Sequence, residues 1–282
     1  MKILAAAALA LCFGQPQLAS VEGYRGHIME PFIARDGGSL FFNSRNAPGD
    51  QTDIFYARRI DDLHFQFVGA VAGANSAALD GVASLARDGT FALISPRDYD
   101  RTQATIWTGH WRGDRVADLH LEAALSPHRP LWFNMDAEIS ADGQQLYFTD
   151  NAWSPIGPPR GSDLHLAVRT NGLWRRAPEY DHWFAHINTR ALEYAAGVSA
   201  DELELYFTRL TTPFLGTQQL EILVATRATT AEPFSAPARI RSITGFVEGP
   251  TVAPDGALFF HAKINDLYQL MRAPRTCPLT VQ

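Results

Sequence analysis

The stretch DAEISADGQQLYFTDN, residues 136–151, holds an acidic residue, a short β-like run, an Asp-Gly turn and an alternating apolar run. The Asp-Gly pair at 142–143 is a strong signal for a hairpin turn, and the run Leu146 to Phe148 is typical of the strand that follows such a turn. Two antiparallel strands are therefore predicted here. Similar sequences recur elsewhere in the chain, so this stretch is one copy of a repeat.

The repeat occurs five times. Its turn aspartates lie 52, 54, 59 and 54 residues apart, at Asp36, Asp88, Asp142, Asp201 and Asp255. Each copy continues into a third β-rich run, such as IFYARR at 54–59. Units of three or four short strands at this spacing are typical of propeller blades. We therefore predict an all-β, five-bladed β-propeller with three to four antiparallel strands per blade.

The five repeats together form one predicted domain over residues 21–282. The predicted blades cover about 29–75, 76–130, 131–188, 189–243 and 244–282. An open edge on the last blade would favour aggregation, so a further strand must close the ring. We predict that 21–28 completes the last blade, with a strand over 22–28, and the tail 276–282 is the alternative.

The repeat resembles the TolB-like, WD40-like β-propeller repeat of bacterial exported proteins, in which an Asp-Gly turn precedes Leu-Tyr-Phe and a later Asp-Ile-Tyr. The first copy matches at Pro31, Asp36-Gly37, Leu40-Phe41-Phe42, Ser44, Arg45 and Asp53-Ile54-Phe55. The resemblance implies the propeller fold and says little about function, because the matched residues are turn and core positions. The chain departs from TolB in lacking the preceding α/β domain and in having five copies instead of six.

The first 20 residues have the features of a secretory signal. Lys2 supplies a positive charge, and the apolar run Ile3 to Phe13 is too short to cross a bilayer. We predict cleavage after Ala19 or Ser20. The alternative is a lipoprotein, since 9–12 (LALC) resembles a lipobox, although bulky Leu11 stands where a small residue is preferred.

The predicted signal determines which cysteine remains in the mature protein. Cys12 would leave with the signal, so Cys277 would be alone and no intrachain disulfide is expected. Stability would then depend on the apolar core, for which 17 Phe, 8 Tyr and 6 Trp are ample. The formal net charge of −6 argues against binding to nucleic acid or to anionic membranes. We expect a monomer, periplasmic or secreted, without a membrane span.

Charged residues recur at one rim of the predicted propeller, where the first strand of a blade begins and the second ends. Four predicted pairs follow from this placement: Glu30 with Arg45, Asp80 with Arg97, Glu193 with Arg209, and Glu248 with Lys263. They either tie the blades together by ion pairs or present a charged funnel to a ligand.

The third blade departs from this pattern. Its candidate binding residues are Asp136, Glu138, Asp150, Asn151, and Trp153 and Arg160 in the loop that follows. The three carboxylates have no evident cation beside them, so a raised pKa or a bound divalent cation is predicted. Two alternatives stay open: Arg160 folds back to neutralise the carboxylates, or Glu138 faces into the blade.

Two functions are consistent with these residues. The first is a non-catalytic exported module that binds a protein or an envelope glycan through its acidic rim. The alternative is a glycan-active enzyme that uses the carboxyl groups of Glu30, Asp136 and Glu248, because glycoside hydrolysis needs a pair of carboxyl groups. Rim tryptophans that could stack on sugar rings are Trp132, Trp153 and Trp183.

Metal binding, nucleophilic catalysis and phosphate binding have less support in the sequence. His182 and His186 have helical spacing and, with Asp181, could bind a metal, although surface histidines are the more common case. The nucleophile motif Gly-x-Ser-x-Gly is missing, as are glycine loops that bind phosphate. No organic cofactor is predicted.

Overall fold

A computed structural model describes residues 5–47, 49–152, 154, 159–212 and 217–278. Helical structure in these ranges is confined to single turns: α1 (Ala6–Leu9), α2 (Tyr99–Thr102), α3 (Tyr180–Trp183) and a 3-10 turn at Ala123–Leu125. Strands make up the rest of the regular structure, so the all-β prediction is confirmed.

The strands of the first repeat follow two short N-terminal strands. The order is β1 (Gln17–Leu18), β2 (Ser20–Glu22), β3 (Met29–Ile33), β4 (Ser39–Asn43), β5 (Ile54–Arg59) and β6 (His64–Ala70). Strands β3 to β6 pair in sequence order, each antiparallel to the next. Strand β2 adds to β6 in parallel.

The second and third repeats form the same kind of antiparallel group. The second comprises β7 (Gly81–Leu85), β8 (Thr90–Ile94), β9 (Ile106–Trp111) and β10 (Val116–Leu121). The third comprises β11 (Trp132–Ile139), β12 (Gln145–Ala152), β13 (Gly161–Thr170) and β14 (Leu173–Arg176).

The last two repeats follow the same order. The fourth comprises β15 (Leu192–Val198), β16 (Glu204–Thr211), β17 (Gln219–Thr226) and β18 (Ala238–Arg239). The fifth comprises β19 (Val247–Val252), β20 (Leu258–Ile264) and β21 (Leu267–Ala273). Strand β1 pairs antiparallel with β21, so the N-terminal segment supplies the outer strand of the last group.

The first strands of the groups surround a common centre. Strands β3, β7, β11, β15 and β19 contact one another in that order, and β19 contacts β3. This radial arrangement is a β-propeller. The hydrophobic core lies between neighbouring groups, where buried rings meet: the centroids of Phe41 and Phe91 are 5.4 Å apart.

Each first strand carries a β-bulge near its middle, where the register with the second strand shifts. One residue of each bulge has a left-handed backbone conformation. The φ angles are 46°, 52°, 58°, 51° and 66° at Glu30, Val82, Asp136, Ala195 and Gly249. A bulge re-aims the side chain that occupies it. These five positions line the channel at the centre of the molecule.

The N-terminal segment packs into the fold and corrects two expectations. A disulfide joins Cys12 to Cys277, so the prediction of no intrachain disulfide is wrong. The lipoprotein alternative, which concerns processing of the leader, stays a prediction. The strand that pairs with the last group is Gln17–Leu18, not residues 22–28.

Further contacts hold this segment. Leu9 and Phe13 are buried, with the Phe13 ring 5.9 Å from that of Tyr206. The tail beside it is fixed by Arg275, whose guanidinium donates to both carboxylate oxygens of Glu204 at 2.8 and 2.9 Å. Cleavage after Ala19 or Ser20 stays a prediction; it would remove both β1 and Cys12. No helix in the described ranges is long and apolar enough to span a membrane.

Candidate functional site

The site lies in the central channel, in a cavity lined by the bulges of the five first strands. Its charged lining residues are Glu30, Asp136 and Glu138; the remaining lining is small or apolar, from Pro31, Phe32, Val82, Ala83, Ala137, Ala195, Ala196, Gly249, Pro250 and Thr251. A cavity with few polar groups in apolar walls strengthens the electrostatic interactions inside it.

Glu30 lies in the bulge of β3. Burial raises the pKa of its carboxyl to about 8, and the nearby negative charges of Asp136 and Glu248 add to this effect against the opposing influence of His261. The backbone N–H of Glu30 donates to Nδ1 of His261 at 3.1 Å. At neutral pH Glu30 is therefore mainly protonated and able to donate a proton.

Glu248 has the opposite ionisation. Burial would raise the pKa of its carboxyl, but a hydrogen bond and the charge of His261, together with a hydrogen bond from Tyr194, hold that pKa below the ordinary value. Nε2 of His261 lies 3.3 Å from Glu248 Oε2, and the Tyr194 hydroxyl donates to Oε1. Glu248 is therefore a carboxylate at neutral pH.

His261 connects these two acids. It is fully buried, and in the neutral imidazole Nδ1 accepts from the Glu30 backbone while Nε2 carries the hydrogen that is donated to Glu248. Burial lowers the pKa of the imidazole, but the carboxyl groups of Glu30 and Glu248 raise it above its ordinary value overall. His261 lies directly opposite Glu248 in the register of β19 and β20.

Asp136 lies in the bulge of β11. Burial raises the pKa of its carboxyl to about 6, although a hydrogen bond from Thr149, at 2.9 Å to Oδ2, and one from the backbone of Ala195 oppose the rise. The charge of Glu248 adds to the rise at Asp136, just as the charge of Asp136 adds to the rise at Glu30. The three carboxyl groups therefore influence one another's protonation across the cavity.

Gly249 makes room for the Glu30 carboxyl group. A Cβ at position 249 would lie 2.7 Å from Glu30 Oε2 and 3.2 Å from His261 Nδ1, and the φ of 66° also favours glycine. The close approach of this backbone to Glu30 therefore requires a residue without a side chain.

Arg35 reaches across the channel to the third and fourth groups. Its guanidinium donates to Glu138 Oε1 at 2.6 Å and to the carbonyl oxygens of Ile139 and Val198 at 2.6 and 2.9 Å. Burial raises the pKa of the Glu138 carboxyl, while the Arg35 charge opposes the rise. The expectation that the acidic residues of the third blade lack a cation is therefore wrong for Glu138.

Asp150 belongs to a different cluster. It accepts hydrogen bonds from Arg176 and from the Asn134 side chain, the latter at 2.7 Å, and His165 Nε2 lies 3.2 Å from it. The structure therefore brings Asp136 and Glu138 to one cavity but places Asp150 in an ion pair outside its lining. No group of three or more metal-ligating side chains is found in the part of the chain described, including around His182 and His186.

The structure describes some of the other residues predicted for the third-blade site and for sugar stacking. The Asn151 side chain donates to Thr149 Oγ1 at 3.2 Å and so supports the residue that holds Asp136. The Arg160 backbone N–H donates to the Ala152 carbonyl, and Trp153 lies outside the described residues. Trp132 contacts Arg129, and Trp183 packs against the core between the third and fourth groups.

Two of the four predicted rim pairs form and two do not. Arg97 pairs with Asp80, and Arg209 with Glu193 at 2.6 Å. Arg45 instead pairs with Asp50 at 2.6 Å, and Lys263 with Asp266 at 3.0 Å.

The bulges explain this difference. Asp80 and Glu193 each precede the bulge residue of their strand by two positions, whereas Glu248 precedes it by one and Glu30 occupies it. The four acids have similar places in the repeat, but they therefore occupy three different positions relative to the bulge. Glu30 lines the central cavity and Glu248 is held by His261 and Tyr194, so neither pairs with the predicted rim cation.

Sequence reasoning missed His261, Tyr194 and Gly249. The signal available was that His261 stands after Leu-Phe-Phe, where three other repeats carry the uncharged side chains of Asn43, Thr149 and Thr208. Its contact with both Glu30 and Glu248 depends on the closure between the last and first groups, which joins residues 231 positions apart.

Comparisons with known proteins identify the fold. No family model and no curated protein sequence matches the chain. Among solved structures, a protein titled "Glycoside hydrolase" is similar with a TM-score of 0.61 and 13% identity, covering 94% of this chain and 92% of that one. The catalytic domain of a GH62 α-L-arabinofuranosidase from Coprinopsis cinerea is similar with a TM-score of 0.58 and 10% identity, covering 97% and 98%.

A TolB structure from Acinetobacter baumannii is more distant, with a TM-score of 0.46, 13% identity and coverage of 88% of this chain and 54% of that one. The similarity to the two glycoside hydrolase structures confirms the propeller part of the sequence-based prediction, and the finer TolB-like assignment is not shown.

Proposed function

We propose that this protein is a glycan-active enzyme of glycoside hydrolase type, with its reaction centre at Glu30, Asp136 and Glu248. The observation that carries the proposal is the buried His261, which contacts the Glu30 backbone and the Glu248 carboxylate beside the cavity that Glu30 and Asp136 line. Burial raises the pKa of Glu30, whereas the hydrogen bonds of His261 and Tyr194 hold the pKa of Glu248 below its ordinary value. Glycoside hydrolysis needs one protonated carboxyl group to donate to the leaving oxygen and one carboxylate to assist attack on the sugar.

The proposed roles follow from these ionisation states. Glu30 is the general acid. Glu248 is the carboxylate that assists attack, and His261 and Tyr194 position it through their hydrogen bonds. Burial raises the pKa of Glu30, and the negative charge of Asp136 adds to the rise. The propeller-shaped glycoside hydrolases among similar structures support this function over a purely binding role.

We further propose a ring of five blades that β1 closes in the full-length chain. The cyclic contacts of the first strands, the pairing of β1 with β21 and the Cys12–Cys277 disulfide support this arrangement. A disulfide is typical of proteins in oxidising compartments, which supports a periplasmic or secreted location. A monomer remains our expectation.

A panel of nitrophenyl glycosides, with 4-nitrophenyl α-L-arabinofuranoside first, tests the proposed activity. Glu30→Gln and Glu248→Gln should each lower kcat by at least about 100-fold, as expected for loss of an acid or base. Glu221→Gln is the matched control, because Glu221 pairs with Arg239 on β18, in the outer part of the fourth group. The rate should fall above pH 8, where Glu30 loses its proton.

Two results would contradict the proposal. One is the lack of turnover of every glycoside and of arabino-oligosaccharides by the wild-type protein. The other is turnover that survives both carboxamide variants.

A further inference from the structure

Aromatic side chains stand at the mouth of the channel, next to the proposed reaction centre. Phe246 immediately precedes β19 and is 44% exposed. Its ring centroid lies 5.8 Å from that of Tyr268 on β21, and the Tyr268 ring lies 5.7 Å from His27. We call Phe246 and Tyr268, with His27 behind them, the mouth platform.

The mouth platform is adjacent to the carboxyl groups. Phe246 is two residues before Glu248, and the Tyr268 ring is 5.5 Å from the ring of His261, which hydrogen-bonds Glu248. Burial and then the charge of Glu248 raise the pKa of the Tyr268 hydroxyl, and Glu30 contributes as well. The rings are therefore one side chain away from the proposed reaction centre.

Backbone contacts hold the mouth platform in place. The Lys263 N–H donates to the Phe246 carbonyl at 3.0 Å, and the Tyr268 N–H donates to His27 Nδ1 at 3.2 Å. The Ile28 N–H donates to the Tyr268 carbonyl at 2.9 Å. The rings therefore sit on paired strands and a fixed segment, so little entropy is lost when a ligand packs on them.

The chemistry around the rings suits a neutral sugar. Arg45 is paired with Asp50, and Lys263 is paired with Asp266, so the charge of each cation is already balanced by a carboxylate and attracts an acidic ligand only weakly. These pairs can still exchange hydrogen bonds with hydroxyl groups, while an exposed ring offers an apolar face to the C–H groups of a sugar.

Resting on the proposed function, we propose that the mouth platform is a substrate subsite that stacks a neutral sugar ring of an oligosaccharide whose cleaved bond lies at Glu30 and Glu248. Phe246 and Tyr268 would then determine the affinity for oligosaccharides. They would take no part in proton transfer.

The test uses α-1,5-linked arabinohexaose as the probe. Phe246→Ala with Tyr268→Ala should weaken its binding to Glu30→Gln protein about tenfold in calorimetry. In otherwise wild-type protein the same pair should raise KM for the hexaose by a similar factor and change kcat by less than about threefold. Leu173→Ala is the control, since Leu173 is 59% exposed on β14, away from the channel.

The outcomes separate the two proposals. Binding of the hexaose that weakens in the double variant, without turnover of the hexaose or of any glycoside in the panel by the wild type, would support the subsite and contradict the enzymatic function. Turnover with a KM equal to that of the Leu173→Ala control would contradict the subsite and leave the function standing. Lack of any binding to the Glu30→Gln protein would overturn the subsite.

Discussion

At the scale of single residues, one position along a strand decides what an acidic side chain does. Asp80 and Glu193 lie two residues before their bulges and form ion pairs with Arg97 and Arg209. Glu30 occupies its bulge, and burial gives its carboxyl a pKa of about 8. A glutamate therefore forms an ion pair in one strand and is a buried carboxyl group with a raised pKa in another.

Glu30→Gln should change the pH dependence of stability. The folded protein holds the Glu30 proton more tightly than the unfolded chain between pH 4.5 and 8, so the free energy of unfolding falls as pH rises through this window. Glutamine does not titrate. We expect equal stability of variant and wild type at pH 4.5 and a variant more stable by about 2–4 kcal/mol at pH 9, measured by urea unfolding.

The control for this measurement is Glu221→Gln, which removes a partly exposed carboxylate paired with Arg239. Its stability difference from wild type at each pH is the reference with which the profile of Glu30→Gln is compared. If Glu30→Gln and wild type showed parallel pH profiles, Glu30 would not have a raised pKa.

Gly249→Ala should disturb the reaction centre directly. The new Cβ would collide with the Glu30 carboxyl group at 2.7 Å, in addition to the strain of a φ of 66°. Gly245→Ala is the matched control, because its φ is 97° but nothing lies within 4 Å of the place that its Cβ would take. We expect the control to lose about 1–2 kcal/mol from strain and Gly249→Ala to lose about 1–3 kcal/mol more, by thermal unfolding. Equal losses would mean that Glu30 is not held against Gly249.

At the scale of elements, the N-terminal segment serves as the outer strand of the last group. Strand β1 pairs with β21, Leu9 and Phe13 are buried, and Cys12 is bonded to Cys277. An apolar run of this length is also what a signal sequence requires, so its hydrophobicity is compatible with either role. The intact mass of the exported protein tests whether residues 1–20 are removed.

Cys12→Ser and Cys277→Ser should each destabilise the full-length protein. The disulfide joins residues 265 positions apart and restricts the unfolded chain, so its loss should cost about 2–5 kcal/mol. The two single variants and the double variant should have the same melting temperature, because each lacks the same bond. A melting temperature of wild type that a reducing agent leaves unchanged would show that the bond does not stabilise the protein.

At the scale of the whole molecule, the channel is where distant parts of the chain meet. Arg35 follows β3, yet it contacts Glu138 and Ile139 of the third group and Val198 of the fourth. Glu30 contacts His261 of the fifth group. The buried polar groups at the centre thus connect repeats that are not neighbours in sequence.

Arg35→Ala should be strongly destabilising because it leaves the Glu138 carboxylate buried without its guanidinium partner. We expect a loss of about 3–5 kcal/mol in urea unfolding. Glu138→Gln in the same protein should recover about 1–3 kcal/mol, since the unpaired charge is then removed. Arg45→Ala, which breaks an exposed pair with Asp50, should cost less than about 1 kcal/mol. Additive losses at Arg35 and Glu138 would contradict a direct interaction.

Local structure could be predicted from the amino-acid sequence. The Asp-Gly turns, the alternating apolar runs and the regular spacing act over a few residues, and they predicted the all-β propeller and most of its hairpins. The acids Glu30, Asp136 and Glu248 were also identifiable, because carboxyl groups at the starts of inner strands recur with the repeat.

Which of these acids share a site depends on tertiary packing. A bulge moves a side chain to the other face of its strand without changing the repeat spacing, so the partners of Glu30 and Glu248 could not be inferred from register. Closure of the ring brings His261 to Glu30 and Cys12 to Cys277 across almost the full length of the chain. Such contacts depend on how the repeats pack around a centre, and no local pattern encodes that.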